Sequence, residues 1–423
     1  MTAPDAAGTA SDDALVEVTL DGFAHGGSAV GRLPDGRACF VDYAIPGERV
    51  RVRITDDRRR WARASLVEVI DASPDRVDPP CPLFGPGRCG GCTLQHIAPA
   101  RQAQLLGTVI ADQLRRIGHV EVPGDGTVEV LRPNGPGGLG YRNRARFAVT
   151  RSGNLAFRRA RSHDTVVVDD CPLLVGPARE LVGRSATTWR GAREVTLQVG
   201  TDGDGAAAVT LARRHAPPAV ELPMVVHQTN GRARRHGDPR VHHAVGGRRF
   251  TTDADSFFQA SIPAAEMLVD HVRRWTAVTP GDQVVDCYAG VGLFSAFLAA
   301  DGARVTAIET SATACADARA NCQGLPVTVC HADMAAPPAI DTPVDAVVLD
   351  PPRTGAGADV TSWITGLGPA RVTYVSCDPA TFARDAAHLV AGGYRLARIV
   401  GIDQFTHTGH VELVAGFDRV VDR

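Results

Sequence analysis

The rhythm of apolar and polar positions changes twice along the chain. Between residues 14 and 72 it consists of short runs broken by Gly and Pro, at 16–20, 29–33, 38–41, 49–54 and 62–70. Alternation of this length between turn signals predicts strands, and five such strands predict a small OB-type β-barrel. Residues 1–12 are polar and Ala-rich and read as a disordered tail. In 99–118, Leu105, Leu106, Val109, Ile110 and Leu114 keep helical spacing and Gly118 ends it, which predicts an amphipathic helix. Residues 119–250 are strand-like and turn-rich. From about Phe250 the pattern alternates strand and helix, with strands at 283–288, 304–308, 327–330, 346–349, 372–375, 395–402 and 411–417 and helices at 293–300 and 311–323. That order predicts an α/β fold with a doubly wound sheet. The expected organisation is a barrel (13–73), a central region (74–249) whose helix 99–118 can dock on the last domain, and a Rossmann-like domain (250–423).

Two apolar runs of the last domain end in chemistry. One leads into Asp350-Pro351-Pro352-Arg353, the other into Ser376-Cys377-Asp378-Pro379. Runs this short, rich in β-branched residues and stopped by Pro, read as buried parallel strands. Ligands of such sheets bind at the carboxyl ends of the strands, so Asp350 and Cys377 should share a crevice. A thiol just beyond the strand is a candidate nucleophile; a structural cysteine is the blander alternative. Earlier, Gly290-Val291-Gly292 follows a strand and Glu309 ends the next, a nucleoside-binding pair. A dinucleotide fold wants G-x-G-x-x-G, and the third position here is Ser295. Asp286 and Glu309 suit S-adenosylmethionine at least as well. On this signal alone, dehydrogenase and methyltransferase both stand.

Composition narrows the field. The 423 residues carry a formal net charge of -2, and every basic residue is Arg. Without lysine, Schiff-base chemistry and a P-loop are excluded, and any nucleic-acid-binding face must be local. Cys81, Cys89 and Cys92 crowd a Gly/Pro loop, and Cys171-Pro172 offers a fourth thiol. Four thiolates suit zinc or an iron–sulfur cluster, and residue types do not choose between them. Residues 141–161 hold seven Arg and no acid. Arg142, Arg144 and Arg146 alternate, which would set three like charges on one strand face and favour an RNA backbone; a solvated basic strand is the alternative. Arg232, Arg234, Arg235, Arg240, Arg248 and Arg249 form a second cluster, and Arg58-Arg59-Arg60-Trp61 sets charge beside an aromatic. No stretch approaches a membrane span, and no apolar leader begins the sequence, so a reduced, cytoplasmic setting is expected.

The segment DGFAHGGSAVGRLPDGRACFVDYAIPGERVRVRI resembles a TRAM domain, a small RNA-binding barrel. DCYAGVGLF, LDPPRTGA, YVSCDPATFARD and FTHTGHVE follow in order and together resemble the RNA uracil-5 methyltransferases. The resemblance implies S-adenosylmethionine as methyl donor, Cys377 as nucleophile and Glu412 as the base that removes the C5 proton. It implies cofactor contacts at Gln259, Tyr288, Leu293, Glu309 and Asp350. It also implies a [4Fe–4S] cluster on Cys81, Cys89, Cys92 and Cys171, as in the branch acting on 23S rRNA, and a monomer whose partner is RNA. Ala289, Leu293, Ser261 and Thr406 depart from the family's usual Cys, Asn, Asn and Pro.

The chemistry can be reasoned forward. C5 of uracil is too weak a nucleophile unaided. A thiolate added to C6 makes C5 an enolate carbon that can take a methyl group. A base must then remove the C5 proton so that the thiolate leaves. Arg353 is a candidate to hold the thiolate; His407 and His410 are rival bases. Competing readings are a tRNA target, a cytosine-5 enzyme (which would want Pro-Cys where Asp350-Pro351 stands), and a non-catalytic RNA-binding metal protein.

Overall fold

The computed structural model describes residues 15–185, 188–212, 215–228, 231–340 and 343–420; the tail expected at 1–12 lies outside them. Strands β1 (Leu15–Phe23), β2 (Ala29–Arg32), β3 (Ala38–Val41), β4 (Arg49–Asp57) and β5 (Trp61–Asp71) close a barrel in the order β1-β2-β3-β5-β4. Alternate residues of β1 and β4, Val18, Leu20, Val50 and Val52, fill its interior. Outward-facing Arg49 and Arg51 pair with Glu17 across the β1–β4 ladder.

Helix α1 (Pro99–Gln113) runs into one π-helical turn, Leu114–Gly118. Leu106, Ile110 and Leu114 join Val120, Val122 and Val128 in the core of the C-terminal sheet. Burying each Leu or Ile contributes about 1.5–3 kcal/mol, so this segment belongs physically to that domain. Its strand β6 (Val130–Leu131) even extends the C-terminal sheet.

Among the described residues the central region forms a seven-stranded sheet, ordered β13-β12-β11-β10-β7-β8-β9. Its strands are β7 (Arg144–Val149), β8 (Leu155–Arg158), β9 (Thr165–Val167), β10 (Ala192–Val199), β11 (Gly205–Leu211), β12 (Met224–His227) and β13 (Ala233–His236). Helix α2 (Gly176–Ser185), which the strand-like pattern did not predict, packs Ala178 and Val182 into this core. A hairpin, β14 (Arg240–Val245) and β15 (Arg248–Asp253), leads to the last domain.

There α3 (Ile262–Thr276), β16 (Gln283–Cys287), α4 (Leu293–Ala300), β17 (Arg304–Glu309), α5 (Ala312–Asn321), β18 (Val327–His331), β19 (Ala346–Leu349), α6 (Gly357–Leu367), β20 (Arg371–Ser376), α7 (Pro379–Ala391), β21 (Tyr394–Ile402) and β22 (Glu412–Arg419) follow. The sheet order is β18-β17-β16-β19-β20-β22-β21-β6. β16 to β20 are mutually parallel, and β22 inserts antiparallel between β20 and β21. Helices on both faces bury two apolar clusters against this sheet.

Candidate active site

The nucleophile's position follows from a cap. Asp378 Oδ1 accepts from the amides of Ala380 (3.0 Å) and Thr381 (2.9 Å), and Pro379 opens α7. A capping Asp followed by Pro commits the chain to a helix at once. Cys377 is therefore held between the end of β20 and the start of α7. Asp350 leaves the adjacent parallel strand β19 at the same edge, its amide donating to Cys287 O (3.3 Å). Glu412 begins β22, whose Leu413 pairs with Ser376. Inserting the last strand beside β20 thus brings a third functional group to the crevice.

The site is acidic and buried. Burial pushes the Cys377 thiol up to about 12, and the charges of Glu412 and Asp350 add to it. Arg353 acts the other way but does not prevail. Arg353 thus favours the thiolate, while two carboxylates and a dry pocket oppose it. Burial, then Asp286, pushes Asp350 up to about 7. Burial, then Asp350, raises Glu412 well above the ordinary range, against Arg353. Asp286 is itself pushed up to about 7 by burial; Ser295 Oγ donates to its Oδ2, and its Oδ1 has no partner among the described residues. A line of buried carboxyls suits a cationic ligand, whose charge would let them ionise.

Along this line lie the positions expected to touch a cofactor. Glu309 accepts from the amides of Gly290 (2.9 Å) and Ser311 (2.7 Å), so its carboxylate ties the Gly turn to the end of β17. Gly290 is left-handed, and an added Cβ there would meet nothing within 4 Å, leaving open space above the turn. Tyr288 takes a positive φ of 61°, a strained conformation for a non-glycine residue. Leu293 starts α4 and is buried, so its side chain offers an apolar contact and its backbone N–H a polar one. Gln259 Nε2 lies 3.5 Å from Asp350 Oδ2.

Other side chains hold the site and were missed from sequence. Gln404 Nε2 donates to Gln259 Oε1 (2.9 Å) and Glu412 Oε2 (3.4 Å). Asn134 Nδ2 donates to the carbonyls of Asp403 and Gln404 and to Thr406 Oγ1, each at 3.1 Å, and Ser261 Oγ donates to Asn134 Oδ1 (2.6 Å). Asn143 Nδ2 donates to Gln259 O (3.2 Å). Each partner lies more than a hundred residues away except Glu412, so no local pattern could reveal them.

Of the two rival bases, His407 uses both ring nitrogens within the scaffold. His407 Nδ1 meets Gln102 Nε2 (3.1 Å) and its Nε2 meets Gly137 O (3.0 Å). Its carbonyl accepts from Thr93 and Leu94, and its amide donates to Gln102 Oε1. Burial pushes His410 down to about 4, with Arg353 and His25 adding to the effect. The barrel reaches the same loop. His25 Nε2 lies 3.6 Å from Asp378 Oδ2, and a Cβ on Gly409 would meet the Gly26 carbonyl carbon at 2.5 Å, so only glycine fits that junction.

Cys81, Cys89, Cys92 and Cys171 line one cavity of about 220 Å³. Burial pushes Cys92 up to about 12 and raises Cys89 and Cys171, and the sulfurs' mutual charge adds to it. Among the described residues, no group of three His, Cys, Asp or Glu converges closely enough to hold a single metal ion. Leu83, Phe84 and Phe157 line it too, together with Gln95, Arg142, Arg146 and Asp170.

The basic strand differs from its reading. β7 starts at Arg144; Arg142 lies outside it, in a bridge to Leu174, and turns its Nε to Arg144 O. Arg146 pairs with Glu194 of β10 (2.7 Å), so the neighbouring strand supplies the acid that the segment lacks. Arg144 lies over the exposed ring of Phe257, 5.8 Å from its centroid. On the barrel, Trp61 meets Phe40 edge-on and Arg63 sits over both rings, while Arg59 and Arg60 are exposed.

Three family profiles match the chain: a TRAM domain over residues 14–67, a methyltransferase domain over 284–351 and a tRNA (Uracil-5-)-methyltransferase over 340–418. An uncharacterized RNA methyltransferase of Streptomyces avermitilis is 37% identical, covering 94% of this chain and 97% of its own. The 23S rRNA (uracil(1939)-C(5))-methyltransferase RlmD of Halomonas elongata is 34% identical, covering 96% and 89%. The crystal structure of the Pyrococcus abyssi tRNA (uracil-54, C5)-methyltransferase with S-adenosyl-L-homocysteine superposes with a TM-score of 0.75 at 25% identity, covering 95% of this chain and 99% of that one.

Proposed function

The chain belongs to the RNA uracil-5 methyltransferases, and from that premise we propose that it methylates C5 of a uridine in 23S rRNA, with Cys377 as nucleophile and Glu412 as base. The observation that carries this reading is the meeting of Cys377, Asp350 and Glu412 at one sheet edge, a consequence of β22 lying beside β20. The Cys377 thiol gives up its proton to solvent and its Sγ adds to C6; the C5 carbanion would then take the methyl group of a sulfonium donor as the methyl–sulfur bond breaks and a neutral thioether leaves. Glu412 then takes the C5 proton, the C–H pair becomes the C5–C6 double bond, and the C6–S bond breaks to return the thiolate. S-adenosylmethionine supplies the electrophilic methyl group. Glu309 and the open Gly290 turn suit its ribose, and the buried carboxyls suit its positive charge.

The paired base is too buried in an RNA helix for this chemistry, so the uridine must be extruded into the crevice. Exposed Phe257, two residues before Gln259, offers a ring for stacking. The barrel, whose turn touches the loop before Glu412, would grip the RNA nearby. A ribosomal target is favoured because the RlmD relative is 34% identical to this chain and the tRNA enzyme 25%, at similar coverage. For the four cysteines we propose a [4Fe–4S] cluster: an all-sulfur donor set around a cavity, rather than meeting at a point, fits a polynuclear centre better than one zinc ion. The domain limits 13–73, 74–249 and 250–423 are proposed with one amendment, that 99–131 folds with the last unit.

The test is methylation of total RNA from a deletion strain with labelled S-adenosylmethionine, followed by mapping of 5-methyluridine. Label at one 23S position that is unmodified in the deletion strain is expected. Label confined to tRNA would move the target; label on cytosine would overturn the uracil assignment.

A further inference from the structure

A base can act only when ionised, and the pocket opposes the ionisation of Glu412. The side chain is buried, Asp350 faces it with like charge, and Cys377 becomes a further negative neighbour whenever it is a thiolate. Two features favour the carboxylate. One is the charge of Arg353. The other is a hydrogen bond from Gln404 Nε2, which among the described residues is the sole one that the Glu412 carboxylate receives.

We propose that Gln404 is a positioning residue for the base: its amide holds Glu412 toward the reacting carbon and favours its ionised form during proton removal. The inference rests on the reading of Glu412 as the base. Its geometry is fixed from both ends. Gln404 N donates to Ile402 O (2.8 Å) and its carbonyl accepts from Asn134, so the main chain cannot swing. The side chain is 1% exposed and spends its two N–H groups on two acceptors, Gln259 Oε1 and Glu412 Oε2. Turning the amide over would set its oxygen against Gln259 Oε1 and against Glu412 once ionised, so the donor faces the carboxylate. Among the described residues its Oε1 is buried without a partner. A satisfied structural glutamine would use both ends; this one uses only its donor end, and uses it on functional groups. Through Gln259 the same amide connects to Asp350, giving the chain Glu412–Gln404–Gln259–Asp350. The 3.4 Å separation is that of a resting site and should shorten as Glu412 gains charge.

Gln404→Met keeps the volume and removes the donor. With labelled methyl donor and target RNA in single turnover, methyl transfer should be near normal while product release slows about tenfold or more at neutral pH. A labelled protein–RNA adduct should then survive a denaturing gel. The acid limb of the release rate should move about one pH unit alkaline, so that raising the pH restores release. A packing defect would slow all steps and would not be rescued by pH. Gln404→Leu, which also lacks the donor and adds no charge, should slow release to a similar degree, and it carries the test if the Met variant fails to bind S-adenosylmethionine. Release at the wild-type rate with an unmoved pH limb, beside a Glu412→Gln variant that traps the adduct, overturns this inference alone. Turnover without adduct in Glu412→Gln overturns the base assignment beneath it.

Discussion

Cys377 and the cysteines of the 81–92 loop face one physical problem in different company. Burial raises the thiols in both places, yet Cys377 stands among carboxylates while Cys89, Cys92 and Cys171 stand among other thiols. A thiolate among carboxylates is costly at rest and suits a brief existence, formed as it bonds to carbon. Thiolates among thiolates are costly together and need a permanent cation. Their settings match: Cys377 hangs between a buried strand and a capped helix, whereas the cluster cysteines come from a Gly/Pro loop and a distant Cys-Pro. The two sites also touch. Thr93 and Leu94, next to Cys92, donate to the carbonyl of His407 in the loop that leads to Glu412.

The strongest way to break this contrast is to exchange the roles. Cys377→Ala should lower methylation by about 10³-fold or more, since no other thiol can add to C6, and Cys377→Ser should fare no better. Binding of S-adenosylmethionine should persist, as isothermal titration would show. Turnover near normal in either variant would place the nucleophile elsewhere.

Removing the cation tests the other side. Anaerobically purified protein should be brown and hold about four irons per chain, and Cys89→Ser or a chelator should bleach it. Because Thr93 and Leu94 brace His407, bleaching should lower methylation about tenfold rather than abolish it, with a fall in melting temperature. Colourless protein with one zinc would leave the ligand set standing and change the metal.

A gentler test uses pH. With its folded pKa raised to about 12, Cys377 in the RNA-free enzyme should react with iodoacetamide about tenfold faster per pH unit through pH 7–9, without a plateau. Mass spectrometry of the peptide bearing Cys377 measures this. A plateau near 8.5, the free-thiol value, would show that Arg353 does acidify it.

How much of this was legible depends on how local each cause is. The barrel, the doubly wound sheet and the strand ends at Asp350 and Cys377 came from alternation, β-branched runs and Pro stops, all local signals. Cys81, Cys89 and Cys92 were legible because ligands to one centre repeat within a loop. Glu412 could be assigned only through resemblance, because its place depends on β22 inserting beside β20. Gln404, Asn134 and Asn143 were not legible at all, being polar residues in unremarkable contexts whose partners, Glu412 excepted, lie more than a hundred residues away. Glu194, which pairs with Arg146, was not legible for the same reason: it belongs to another strand. Helix α2 was missed because it is short and has Gly at both ends of Pro-Ala-Arg-Glu-Leu-Val.

The smallest expected effect separates burial from company. Asp286 is buried like Cys377 and carries no proposed role in bond making. Its folded pKa, about 7, lies above the ordinary value of 3.8. The folded state therefore holds this proton more tightly than the unfolded chain. Its contribution to stability is fully present below the unfolded value and is lost as pH rises toward 7. Asp286→Asn removes that titration and keeps an acceptor for Ser295 Oγ. Relative to the wild type, the variant should gain melting temperature between pH 4 and 7, by about 2–4 °C, and no further above it. The comparison is between the two pH profiles, so a fixed cost of the new amide cancels. If the buried carboxyls are kept for a cationic methyl donor, the variant should also bind S-adenosylmethionine more weakly at pH 8 while binding S-adenosylhomocysteine, which lacks the sulfonium charge, about as before. Parallel stability profiles would mean that Asp286 is not held protonated, and equal weakening toward both ligands would mean that it acts through shape rather than charge.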